Sequence, residues 1–185
     1  MSRLLFLINR LKAQASATML TPSQRLAFAE LEKHWRFPDR LNLCGPPGSG
    51  KTFLGWVIAR HLQQVKFYAT PRLFEQAQPP YSIDIVIDSA PSEEKKLRRL
   101  LAELQLRGVR RVLFITQNPI RLGLPTIELA PPTPADIATV YENCSKLQFY
   151  PQPSSNTEDT HPISRNTGDR VEEIVNYWQA IFSVL

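Results

Sequence analysis

Gly45-Pro46-Pro47-Gly48-Ser49-Gly50-Lys51-Thr52 is the stretch whose residue types and spacing promise chemistry. It fits G-x-x-x-x-G-K-[ST], a pattern suited to holding phosphate. Glycines let the backbone take positive φ and come close to an anion. Successive N–H groups then converge, and the N-terminus of a following helix adds positive potential. Lys51 has the reach for the β- and γ-phosphates of a nucleotide, and the Thr52 hydroxyl can ligate Mg²⁺. Phe53 completes the candidate nucleotide-binding run.

Two further stretches end in polar residues where a parallel sheet would gather them. Residues 81–89 are apolar and β-branched, and the run closes on Asp88. Carboxyl ends of parallel strands meet at one crevice, so Asp88 is expected opposite Thr52 as a second Mg²⁺ ligand. Asp84 lies four residues earlier on the strand, away from that crevice. Val112 to Asn118 is another buried strand, ending Thr116-Gln117-Asn118. Thr116 or Gln117 can face the terminal phosphate; Asn118, before Pro119, suits the turn. Lys51, Asp88, Thr116 and Gln117 are thus the candidate catalytic groups.

The elements that must position these groups alternate between strand and helix, which predicts an α/β fold with a parallel sheet flanked by helices. Leu41-Asn42-Leu43-Cys44 is the strand into the loop. Phe53, Leu54, Val57, Ile58 and Leu62 stripe a helix after it, with His61 read as structural. Thr21-Pro22-Ser23-Gln24 is a helix start, with Thr at the N-cap, Pro at N1 and Gln at N3, and Pro38 ends that helix. Short elements follow at 65–70 and 71–78, broken by Pro79-Pro80. Residues 91–107 form an amphipathic helix with Leu97, Leu100, Leu101 and Leu104 inward. Thr126 to Leu129 is a last strand. Helices are expected at 134–148, with Ile137, Val140, Tyr141, Cys144 and Leu147 on one face, and after Gly168; residues 151–168 read as a mobile loop.

Composition bounds the rest. The chain has 185 residues and 43% hydrophobic content, enough for a core, and a net charge of +5 permits nucleic-acid contact without requiring it. Lys95, Lys96, Arg98, Arg99, Arg107, Arg110 and Arg111 make the 95–111 region either a solvated face or a surface for DNA phosphate or a subunit. Cys44 and Cys144 lack metal-ligand spacing and read as reduced core thiols of a cytoplasmic protein. Leu4-Leu5-Phe6-Leu7-Ile8 is too short to cross a membrane and is interrupted by Arg10, so no transmembrane segment is expected. Residues 1–20 instead read as an amphipathic helix that docks on the body or on a partner.

In this order of elements, from helix and glycine loop to a Pro-Pro-Thr-Pro junction at 131–134, the chain resembles the AAA+ P-loop ATPases. The likeness is to the compact bacterial replication-initiator and helicase-loader branch, and it covers residues 21–185. It implies a nucleotide-binding domain at 21–132, a small helical lid at 133–185, and ATP with Mg²⁺ as ligands. It makes residues 45–52 the Walker A motif, Asp88 the Walker B aspartate, Thr116 or Gln117 the sensor 1 residue, and Arg170 the sensor 2 arginine. It also brings Gln24 near the adenine, where it either reads the base or only caps its helix. A protein partner or homo-oligomer, and DNA at the 95–111 region, are implied as well.

Two departures change the expected activity. Ser89 stands where such ATPases carry the glutamate that polarises water, leaving Glu93, Glu94 or a partner to supply a base. Only about ten residues separate the third polar strand end from the last strand, too few for the helix that bears an arginine finger, and Arg121 fits that role poorly. The expected function is an ATP-binding switch with weak hydrolysis that controls assembly. The rivals are a small-molecule or nucleotide kinase using Arg98 and Arg99 over the phosphates, and a non-catalytic nucleotide-binding adaptor. No Asn-Lys-x-Asp run supports a GTPase.

Overall fold

Strands buried on both faces need apolar side chains at successive positions, and residues 84–87, 112–115 and 41–44 supply them almost without a break. The computed structural model describes residues 3–36, 40–62, 64–77 and 84–146, with the backbone alone at 3–7 and 144–146. The expectations for Pro38, for Pro79-Pro80 and Tyr81, for the Cys144 thiol, and for everything from Leu147 on lie outside this description. The last group includes the loop at 151–168, the final helix and Arg170.

The helices are α1 (Arg3–Gln14), α2 (Pro22–His34), α3 (Lys51–His61), α4 (Pro71–Glu75), α5 (Glu94–Leu106) and α6 (Pro134–Lys146). The strands are β1 (Arg40–Cys44), β2 (Val65–Tyr68), β3 (Asp84–Ile87), β4 (Arg111–Thr116) and β5 (Thr126–Glu128). The strands form one parallel sheet in the order β2-β3-β4-β1-β5. The molecule is therefore α/β, a five-stranded parallel sheet flanked by helices. β1 lies inside the sheet, in register with β4 on one side and β5 on the other. β4 separates β1 from β3, so three successive strand ends bear the glycine loop, Thr116 and Asp88.

Alternation along each strand divides two cores. Val86, Leu113 and Ile115 turn toward α1, α2 and α3 and pack with Leu11, Leu31 and Val57. Ile85, Ile87, Val112 and Phe114 turn the other way, onto Phe74 of α4 and Leu97, Leu100 and Leu104 of α5. Burying a side chain such as Leu113 or Phe114 contributes about 2 kcal/mol. The connection between β4 and β5 contains no helix; Ile120, Leu122 and Leu124 of that loop lie against the second core instead. No helix among the described residues is long and apolar enough to cross a membrane.

Several basic residues are placed otherwise than a solvated face requires. The Arg107 guanidinium donates to the carbonyls of Phe74 at 2.9 Å and Glu75 at 2.8 Å, closing the C-terminal end of α4. It also lies 4.8 Å over the Phe74 ring. Arg111 grips Asp84 with two bonds, of 2.8 and 2.6 Å, and donates to Trp35 O at 2.7 Å. Helix ends and buried carboxylates need such partners. Of the 95–111 run, Lys95, Arg99 and Arg110 remain as exposed cations without a hydrogen-bond partner among the described residues. Lys96 and Arg98 pair with Glu93 and Glu94 on the surface of α5.

The docking face of α6 also differs from the apolar pattern. Ile137 is 38% exposed, whereas Asp136 is 3% exposed. The start of the helix is held through polar side chains because its neighbour is the N-terminus of α2, with unpaired N–H groups to satisfy. Asp136 accepts from Ser23 N at 2.9 Å and Ser23 Oγ at 2.7 Å. It accepts from Thr133 N at 2.8 Å and Thr133 Oγ1 at 2.7 Å as well. Further along, Asn143 donates to Met19 O at 2.8 Å.

Candidate functional site

Residues 45–50 form a turn between the end of β1 and the start of α3. Two glycines are required there by geometry. Gly50 is the N-cap of α3 with φ +81°, and a Cβ on it would collide with the Gln24 amide. A Cβ on Gly45 would collide with the carbonyl of Leu129, just past β5. The loop is thus pressed between α2 and the end of β5.

Lys51 and Thr52 open α3 and are both buried, at 9% exposure. The Lys51 ammonium donates to Gly45 O at 2.8 Å and Pro46 O at 2.7 Å, with Ser49 Oγ at 3.3 Å. Burial pulls it below the ordinary lysine range, against the opposing pull of Asp88. The Thr52 hydroxyl donates to Asp88 Oδ2 at 2.6 Å, bringing together two residues 36 positions apart. Burial pushes the Asp88 carboxyl above its ordinary range, although the Thr52 hydroxyl, the Ser89 N–H and the Lys51 charge all pull it down. Phe53 faces the other way. It is 6% exposed and meets Trp56 edge-on in the core, so its side chain does not line the cleft.

Asp88 follows β3 directly, and Ser89 after it has φ +51°, a left-handed conformation uncommon for a residue with a Cβ. The turn is held from both sides. The Asp88 N–H donates to Tyr68 O at 2.8 Å and the Ala90 N–H to Ile115 O at 3.0 Å. Such strain persists only where the surroundings over-determine it, and it concentrates at functional sites.

Together these strand ends enclose a cleft of ≈ 280 Å³, near the lower end of small-molecule sites. Gly48, Lys51, Thr52, Asp88, Thr116 and Gln117 line it, with Asn118, Ser89 and Ser92 also on its wall. All four candidate catalytic residues therefore share one cavity. Asp88 is the single acid among its described lining residues. Glu93 and Glu94 are exposed and engaged with Lys96 and Arg98 along α5, and neither lines the cleft. Arg98 and Arg99, the arginines of the kinase alternative, are not among its lining residues either. His61 lies elsewhere, against Phe28 and Glu32.

Two expectations are refined by the hydrogen bonds. Gln24 completes a capping box with Thr21, and its amide N–H donates to Gly50 O at 3.3 Å. Its amide is therefore engaged with the cap and the glycine loop. The Thr116 hydroxyl receives the Asn42 amide at 2.9 Å and donates to Asn118 O at 2.7 Å, so it shapes the strand end. Gln117 and Asn118 are exposed beside it. Asn42 itself was not singled out by its sequence pattern, although an amide between Leu41 and Leu43 in a buried strand is a readable signal.

Compared with known proteins, the chain matches no family model and no curated protein sequence.

Proposed function

We propose that the chain is an AAA+-like ATP-binding protein with weak intrinsic hydrolysis that works as a nucleotide-dependent assembly switch in a protein complex. The observation that carries this reading is the convergence of Lys51, Thr52 and Asp88 on one cleft, with Thr52 Oγ1 2.6 Å from Asp88 Oδ2. Hydroxyl and carboxylate oxygens are hard donors of the kind Mg²⁺ takes, and Mg²⁺ commonly completes its shell with phosphate oxygens and water. Among the described residues no three His, Cys, Asp or Glu cluster as a ligand set. A cation here would accordingly arrive with a phosphate. The glycine turn and the N-terminus of α3 suit that anion.

In mechanism, Lys51 would exchange the loop carbonyls for phosphate oxygens, and Thr52 and Asp88 would hold the magnesium. Bound Mg²⁺ supplies charge neutralisation along the phosphates. Weak turnover follows from the wall chemistry. With Asp88 at the metal position and Ser89 beside it, the described lining offers no carboxylate to orient an attacking water. The α2 N-terminus links the glycine loop to α6 through Gln24 and Ser23. That contact supports a conformational reading of the switch. A protein partner or second copy, a cytoplasmic setting, and DNA contact through Lys95, Arg99 and Arg110 belong to the same proposal.

Calorimetric titration with Mg-ATP, followed by phosphate release, tests it. Binding by the unaltered chain and at least a hundredfold loss in Lys51→Ala are expected. Turnover should be on the order of 10⁻² s⁻¹ or slower without a partner. Unchanged affinity in Lys51→Ala would refute the assignment, and fast release would refute weak hydrolysis. Binding with no change in mass or partner capture on ATP addition would favour the adaptor reading.

A further inference from the structure

We infer that Asn42 is a positioning residue that sets the preference of the cleft for ATP over ADP. This rests on the nucleotide-binding reading above. Asn42 lies in the middle of β1, at 0% exposure, between Leu41 at 1% and Leu43 at 0%. An amide in such a place must be hydrogen-bonded. All of its side-chain bonds run to the end of β4 and the loop after it. Nδ2 donates to Phe114 O at 3.2 Å and to Thr116 Oγ1 at 2.9 Å, and Oδ1 accepts the Ile120 N–H at 3.1 Å. Its backbone N–H donates to Pro125 O at 2.9 Å.

The segment so gripped has no helix or strand of its own between Thr116 and Thr126. The Asn42 side chain fixes this segment at its start and middle, at Thr116 and Ile120, while its backbone N–H holds the end at Pro125. Thr116 passes the constraint on, donating to Asn118 O and closing the turn that carries Gln117. Gln117 and Asn118 line the same cleft as Lys51. They are the described polar side chains of β4's end that remain exposed there, and so the groups that can meet a terminal phosphate. A displacement of about 1 Å in such a group is enough to cost up to a hundredfold in function. ADP lacks the terminal phosphate, so a loss at this position acts on ATP alone.

The experiment measures Mg-ATP and Mg-ADP affinities by calorimetry on the full chain. The variants are Asn42→Leu, Gln117→Ala, the double variant, and Thr116→Val. Asn42→Leu should lower the ATP-to-ADP affinity ratio about tenfold through ATP, with ADP affinity within about twofold. Gln117→Ala should do the same, and the double variant should lose no more, because both changes remove one interaction. Thr116→Val breaks the next link of the chain and should move the ratio in the same direction. It carries the test if Asn42→Leu does not fold. An equal loss for both nucleotides, an additive double variant, or an unmoved ratio in Thr116→Val would overturn the inference. Absence of binding by the unaltered chain would instead overturn the nucleotide reading itself.

Discussion

Asp88 and Asp136 are both buried carboxylates, at 6% and 3% exposure, yet their surroundings drive them in opposite directions. At Asp136, burial favours protonation, but hydrogen bonds from Thr133 and Ser23 outweigh it and hold the group well below the usual carboxylate range. At Asp88, burial wins over the Thr52 hydroxyl, the Ser89 N–H and the Lys51 charge, and the group is pushed up. Depth and donor count decide between them, for Asp88 sits deeper in the protein and has fewer donors. Four donors make Asp136 a fastening between α2 and α6. Two donors leave Asp88 with unsatisfied oxygen capacity at the mouth of a cleft. Similar solvent exposure thus yields a carboxylate held charged in one place and one pushed toward its neutral form in the other.

The strongest way to break this contrast is Asp136→Ala. It leaves buried donors on Ser23 and Thr133 without a partner and should cost about 3 kcal/mol, read from urea unfolding. A cost below about 1 kcal/mol would mean that the four bonds stabilise little. Asp88→Asn should act with the opposite sign and raise stability by about 1 kcal/mol at pH 7. A carboxyl whose folded pKa is raised stabilises the fold only where it is protonated, below the unfolded value near 4, and that benefit is lost as pH rises through the folded value. The gain from Asp88→Asn should therefore shrink toward pH 4, and a destabilised variant at pH 7 would contradict the contrast. For Asp136 the folded pKa is depressed, so its contribution is present above about pH 4 and is lost as pH falls toward the folded value. Acid unfolding of the unaltered chain should steepen below pH 4, and Asp136→Asn should flatten that slope. The smallest effect is expected for Ser23→Ala, which removes one donor of the four and should cost about 1 kcal/mol. A value near that of Asp136→Ala would show that one bond carries the junction.

Much of the cleft was legible because its signals are local. The glycine spacing at 45–50, the apolar run before Asp88 and the polar close of β4 each occupy fewer than ten residues, and periodicity locates them. What stayed hidden depends on distant partners. Arg107 and Arg111 looked like members of one basic face, but their partners lie on α4 and β3. Asp136 carries no sequence signal of its role, since Ser23 is 113 residues away. Of the apolar face expected for α6, Ile137 stays exposed because Asp136 beside it takes the polar end of α2. Asn42 offered a hint in its own strand, but its target 78 positions later did not.

The interior place of β1 carries a consequence for synthesis of the chain. Asn42 is in register with Phe114 and Thr126, so the strand that leads into the glycine loop finds neither neighbour until more than seventy further residues exist. At about 5–20 residues per second, that leaves the strand without lateral partners for several seconds on the ribosome. Non-local parallel pairing of this kind is slow to form and exposes apolar edges while it waits. Retention by a holdase chaperone during translation, ending once residues 111–128 emerge, is the behaviour this topology calls for.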